Sequence, residues 1–240
     1  MNHKAMMKSL MVAVLSLGLL AGCSASNDQD KIGDAQFCLD ELPVTGLSAA
    51  QRKTRVNTCL DKLGTLSSKD ASLIRCSGNF LIEGFGDPGR IVDAMSSLSN
   101  QGGGSGTVGM MSFLKFKSMG VSETATEAED SVLANETFSY CSDAGNPGYV
   151  MIASFARIAT NLSGVADVLA DGQLDAAEVT QLINAGTPEV IGQTAIIAYE
   201  ASCSGGENAN KELCSQLSGS MNSGNASAIG QALLNAWKTP

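Results

Sequence analysis

Ser48-Ala49-Ala50-Gln51-Arg52-Lys53-Thr54-Arg55-Val56-Asn57-Thr58-Cys59-Leu60-Asp61-Lys62-Leu63-Gly64 sets the fold class. A serine at the start offers its hydroxyl to the orphan N–H groups of a helix's first turn. A glycine just past the end takes the left-handed backbone that closes one. The stretch therefore predicts a helix over Ala49–Leu63. The same punctuation recurs along the chain. Ser67 with Asp70 resembles an acidic capping box and opens Asp70–Glu83. Asp87-Pro88 opens Gly89–Leu98, and Asn146-Pro147 opens Gly148–Leu162. Thr187-Pro188, after Gly186, opens Glu189–Ser202. Glu123, Glu127, Glu129 and Asp130 crowd the start of a further helix, where the macrodipole favours acids. Alternating β-branched runs with Asn-Gly turns do not occur. The expected fold is all-α, with stacked antiparallel helical hairpins.

Gln101–Gly106 is a glycine-rich break. It divides the expectation into a helical lobe over 32–100, a linker over 101–107 and a second lobe over 108–240. Cys38-Leu39-Asp40-Glu41-Leu42 echoes Cys59-Leu60-Asp61-Lys62-Leu63, but the echo is not sustained as a repeat. A stack of helical hairpins resembles tetratricopeptide arrays in architecture, although their tryptophan and proline positions are not matched.

The N-terminus carries Lys4 and Lys8, then the apolar run Leu10–Leu20, then Ala21-Gly22-Cys23. A basic start, a short apolar run and small residues before a cut site form a secretory signal. The run is too short for a comfortable membrane span. Leu20-Ala21-Gly22-Cys23 resembles the lipobox of bacterial lipoproteins. That resemblance implies a signal peptide over 1–22 and a lipidated Cys23 as first residue of the mature chain. It also implies a membrane partner through the lipid. Residues 23–31 are polar and read as a tether. Ser24 is not the aspartate that marks inner-membrane retention, so the resemblance implies an outer membrane, periplasmic face.

The chain has 240 residues, of which 44% are hydrophobic and only 5% aromatic. Losing Lys4 and Lys8 with the leader leaves 13 of the 15 basic residues against 24 acidic ones, a net of −11. Such a surface repels phosphate backbones, so nucleic acid is not an expected partner. The only histidine, His3, lies in the leader. The mature chain cannot build a usual Ser-His-Asp or Cys-His site, and it lacks the commonest zinc ligand.

Beyond Cys23 stand Cys38, Cys59, Cys76, Cys141, Cys203 and Cys214, an even number that suits disulfides in an exported chain. Hairpin geometry ranks their pairings. Around Gly64–Ser67, Cys59 and Cys76 fall about three residues, roughly 4.5 Å, out of step. Around Pro43–Ser48, Cys38 and Cys59 fall about six residues, roughly 9 Å, out of step. A bridge needs Cα atoms within roughly 7 Å, which favours Cys59–Cys76. Cys203 and Cys214 pair across Ser204–Asn210, and elimination leaves Cys38–Cys141.

Asp167–Glu178 is the candidate metal loop. Asp167, Asp171, Asp175 and Glu178 fit EF-hand ligand positions, with Gly172 and Leu174 in place, but Leu169 occupies a ligand position. Calcium binding is therefore expected to be weak, and calcium is the one cofactor left open. The stretch also resembles the Ala-Asp-Gly helix-turn-helix of tellurite-resistance-type helical proteins, at Ala170-Asp171-Gly172 and Glu178. A purely structural alternative uses the same residues: an Asp171-Gly172 turn, and Asp175 with Glu178 as a capping box.

Catalytic patterns are incomplete. Gly104-Ser105-Gly106-Thr107-Val108-Gly109 matches a dinucleotide fingerprint but follows no strand. Ser112…Lys115 and Ser220-Met221-Asn222 match fragments of penicillin-binding enzymes, without the Lys-Thr-Gly triplet or a sheet. Glu83, beside Gly84-Phe85-Gly86, reads as a solvated helix end rather than a pocket acid. Trp237 reads as the anchor of the last helix. No enzyme is expected. Two functions remain: an interaction or scaffold module for a protein partner, and a small-ligand or weak calcium-binding lipoprotein supporting a transport system. An apolar pocket of some hundreds of Å³ favours the second, and an exposed apolar patch favours the first.

Overall fold

The computed structural model describes residues 27–43, 46–86, 92, 96, 111–117, 123–163, 175–203 and 211–238. The α-helices are α1 (Asn27–Asp40), α2 (Ala49–Leu60), α3 (Lys69–Ile82), α4 (Glu123–Ala144), α5 (Pro147–Ser163), α6 (Ala176–Asn184), α7 (Thr187–Ser202), α8 (Lys211–Met221) and α9 (Ala226–Trp237). No strand occurs among the described residues. The all-α class is as expected. Cys23, Gln101–Gly106, Asp167 and Asp171 lie outside the described residues, and so does nearly all of Gly89–Leu98.

Local chemistry sets the helix ends. Ser48 and Gln51 form a reciprocal capping box at the start of α2. The α2 helix stops at Leu60 and tightens into a 3₁₀ turn, Asp61–Leu63, before Gly64 reverses the chain at positive φ. The cap of α3 is Ser68, not Ser67: its hydroxyl accepts from Ala71 N at 3.2 Å. Asp70 is left in the first turn, favoured by the dipole rather than by a box. Asn146 caps α5, accepting from Gly148 N and Tyr149 N. Thr187 is already helical. The residue before it, Gly186, ends α6 and begins α7 at φ 74°, so the tight α6–α7 turn leaves no room for a side-chain cap.

Two apolar clusters form the interior. The smaller joins Ile32, Ala35 and Leu39 of α1 to Val56, Cys59, Leu63, Ala71, Ile74 and Ile82. The larger runs from Cys76 and Phe80 through α4, α5 and α7 to Leu233, Leu234 and Trp237. Trp237 is 1% exposed and anchors α9 as expected. The clusters meet on α3, which is buried on both sides. Its Ile74, Gly78 and Ile82 share one stripe, where Gly78 packs on Leu60. Cys76 and Phe80 share the opposite stripe.

That division decides the disulfides. The bridges are Cys38–Cys59, Cys76–Cys141 and Cys203–Cys214. The last pairing is as expected, and the other two correct Cys59–Cys76 and Cys38–Cys141. Matching distances from a loop centre fixes the height of a residue along a hairpin but not the face it occupies. Cys76 stands about 200° around α3 from Ile74, so it turns away from α2 and toward α4. Meanwhile α1 packs on the 3₁₀ turn as well as on α2 and α3. A height rule built on α1 and α2 as an isolated pair therefore fails there. Three disulfides point to folding in an oxidising, extracytoplasmic compartment. Among the described residues, no helix is long and apolar enough to cross a membrane.

Candidate functional site

The residues at the C-terminal end of α3 gather an aromatic cluster at the edge of the core. Gly84, at φ 79°, ends the helix in a Schellman motif. Phe85 N donates to Phe80 O at 2.9 Å, and Gly84 N donates to Leu81 O at 3.0 Å. This reversal folds the Phe85 ring onto Phe80, edge to face at 5.3 Å between centroids. Phe116 adds a second edge contact to Phe80 at 5.9 Å, and Tyr149, at the start of α5, lies 6.5 Å from it. In a chain with so few aromatic residues, four converge on one spot.

A cleft of about 360 Å³ opens beside this cluster. Its apolar wall includes Ile74, Phe80, Leu81, Phe85, Tyr149 and Ile152. The polar groups are Gln36 and Asp40 of α1 and Ser77 of α3. Around the end of α1 lies a second cleft of about 210 Å³, which shares Leu39, Asp40 and Leu81 with the first. Arg52 lines this smaller cleft. Its Nε donates to Ile82 O at 3.1 Å and its Nη1 to Leu47 O at 2.9 Å, which ties α2 to the C-terminus of α3.

Glu83 is 4% exposed, not solvated as the sequence suggests. The segment 111–117 crosses the end of α3 there, and Glu83 Oε2 accepts from Lys117 N at 2.9 Å. Phe116 N donates to Thr160 Oγ1 at 2.9 Å, pinning the same segment to α5. Ser112 and Lys115 lie on this segment, while Ser220 belongs to α8.

Of the candidate metal ligands, Asp175 and Glu178 are described. Asp175 Oδ1 accepts from Ala177 N and Glu178 N, and Glu178 Oε2 accepts from Asp175 N at 2.7 Å. The pair forms a complete capping box for α6. One oxygen of each carboxylate thus accepts from backbone donors, as in the structural alternative. Among the described residues, no group of three or more His, Cys, Asp or Glu is placed to hold a metal.

Arg157 is a half-buried cation elsewhere in the core. Its Nε donates to Asn135 Oδ1 at 2.7 Å and its guanidinium covers the Phe138 ring at 4.7 Å. Burial pushes its pKa down, yet an arginine stays charged at any ordinary pH. It reads as a structural link between α4 and α5.

The cluster and its cleft carry no signal in local sequence patterns. Phe80, Phe85, Phe116 and Tyr149 come from three separate segments. The one trace is Gly84-Phe85-Gly86, whose first glycine permits the reversal that stacks the rings. No family model, curated protein or solved structure matches the chain.

Proposed function

We propose that the chain is a membrane-anchored, exported helical lipoprotein whose body is a binding module that holds a small, largely apolar ligand. The leader and Leu20-Ala21-Gly22-Cys23 support the anchor and, with Ser24, the periplasmic face of an outer membrane. The single observation that supports the ligand is the aromatic-walled cleft of about 360 Å³, which lies in the size range of small-molecule sites. The scaffold reading has less to stand on. The large apolar residues open to solvent among the described residues, Phe37, Val92, Phe113, Val132, Tyr149 and Ile197, are scattered over six separate segments.

Anchor and cleft are tested separately. Cys23→Ala is expected to accumulate as an unprocessed precursor in membrane fractions, because lipidation of that thiol precedes cleavage in lipoproteins. A variant that is cleaved and fractionates like wild type overturns the anchor. For the cleft, the neutral dye Nile red is expected to bind the mature chain saturably, with enhanced fluorescence. Leu73 lines the cleft and is only partly buried. Leu73→Trp should fill the space and weaken dye binding by about tenfold, the equivalent of roughly 1.4 kcal/mol, with an unchanged melting temperature. Equal binding by wild type and variant places the dye elsewhere and removes the support for a ligand.

A further inference from the structure

The end of α1 gathers negative charge beside the larger cleft. A helix C-terminus carries partial negative charge and favours cations in its last turn. The last turn of α1 holds no basic residue, as is true of the other described α-helices. It ends on Asp40, and Glu41 follows. Asp40 is exposed, and among the described residues it has no ion-pair partner. Negative charge is therefore concentrated at one point, against the local preference of the helix.

Asp40 lines the larger cleft, and it is the one charged side chain among the described residues that do so. Phe80, Phe85 and Tyr149 line the same cleft. Aromatic faces attract organic cations, most strongly where the cation is partly desolvated. Arg52 lines the smaller cleft and opposes a cation there, but its guanidinium is held by Leu47 O and Ile82 O and does not line the larger one. The whole chain adds a formal net charge of −9, which raises the local concentration of cations and depletes anions.

Resting on the small-ligand reading, we propose that the cleft between α1, α3 and α5 is a site for an amphipathic organic cation. The apolar or aromatic body lies against Phe80, Phe85, Tyr149 and Ile152. The ammonium group faces Asp40 and the carbonyl end of α1.

The test uses three probes with one body and three heads: 2-phenylethylammonium, 2-phenylethanol and 3-phenylpropionate. Their binding to the mature chain is measured by ligand-observed NMR and calorimetry at fixed ionic strength. The ammonium is expected to bind about fivefold or more tightly than the alcohol, and the propionate most weakly. Asp40→Asn should bring the ammonium to within about twofold of the alcohol and leave the alcohol unchanged. Glu41→Gln, one residue away and outside the cleft lining, should keep the preference, which separates Asp40 from the general field of the protein. Equal binding of ammonium and alcohol in the wild type overturns the cation and leaves the small-ligand reading standing. So does an unchanged preference in Asp40→Asn, or a propionate that binds best. No binding by any of the three overturns both.

Discussion

Gly192→Ala and Gly230→Ala are each expected to destabilise the protein by about 3 kcal/mol or more, where a helical Gly→Ala change ordinarily gains about 1 kcal/mol. The two glycines lie where α7 and α9 cross, one of the most extensive helix contacts in the fold. A Cβ on Gly192 would stand 1.7 Å from Ala226 O, and one on Gly230 would stand 1.9 Å from Pro188 O. Real Cβ atoms do not approach within 3.0 Å, and a backbone carbonyl cannot swing aside as a side chain does. In helical register Pro188 O is the acceptor for Gly192 N, and Ala226 O is the acceptor for Gly230 N. Each methyl would thus strike the carbonyl that holds the other glycine's turn. The helices would have to separate, and Ile191, Ala195, Leu233 and Leu234, all buried, would lose packing together. A loss of that size lowers the melting temperature by roughly 10 °C in a chain of this length. Gly219 on α8 is the control: nothing lies within 4 Å of its Cβ position, so Gly219→Ala should hold or raise stability. Thermal and urea unfolding of the three variants decide it. Gly192→Ala or Gly230→Ala as stable as wild type would show that the helices do not meet this closely.

Signals confined to a few residues were legible in the sequence. Ser48, Asn146 and the Asp175–Glu178 box depend on a donor and an acceptor two or three positions apart, and the structure holds them as read. The Ser67 cap failed by one residue, because two adjacent serines offer the same hydroxyl and the chain entry direction chooses between them. Thr187 failed because the α6–α7 turn is shared between two helices. The candidate cleft was not legible at all. Its walls come from α1, α3 and α5 and from the turn at Phe85, and no local spacing records that those faces converge. Gly192 and Gly230 were equally silent. An isolated glycine in a helical pattern says that something packs closely, but not what. Glu83 looked solvated because its neighbours are turn residues, and the segment that covers it arrives from more than thirty positions away.

The loss of the Cys76–Cys141 bridge is expected to be the costliest of the three disulfide removals, at about 4 kcal/mol. Both cysteines are fully buried, and the bridge closes a span of 65 residues. The spans of Cys38–Cys59 and Cys203–Cys214 are 21 and 11. Chain entropy scales with the logarithm of the loop, which puts those two near 3 kcal/mol and slightly below it. Position amplifies the difference. Cys76 lies on α3, the helix that both apolar clusters share, and Cys141 lies on α4, which packs extensively on α3. The closed span contains Gln101–Gly106, the most glycine-rich part of the chain, whose unfolded freedom is high and is curtailed by the bridge. The paired variant Cys76→Ala/Cys141→Ala should therefore unfold at distinctly lower denaturant than Cys203→Ala/Cys214→Ala. Non-reducing peptide mapping of the wild type supplies the independent check, with Cys38–Cys59 and Cys76–Cys141 peptides expected. If the Cys76 and Cys141 variant loses no more stability than the Cys203 and Cys214 variant, loop length is not the controlling term. The bridge would then fasten two helices that already hold each other through their packed faces.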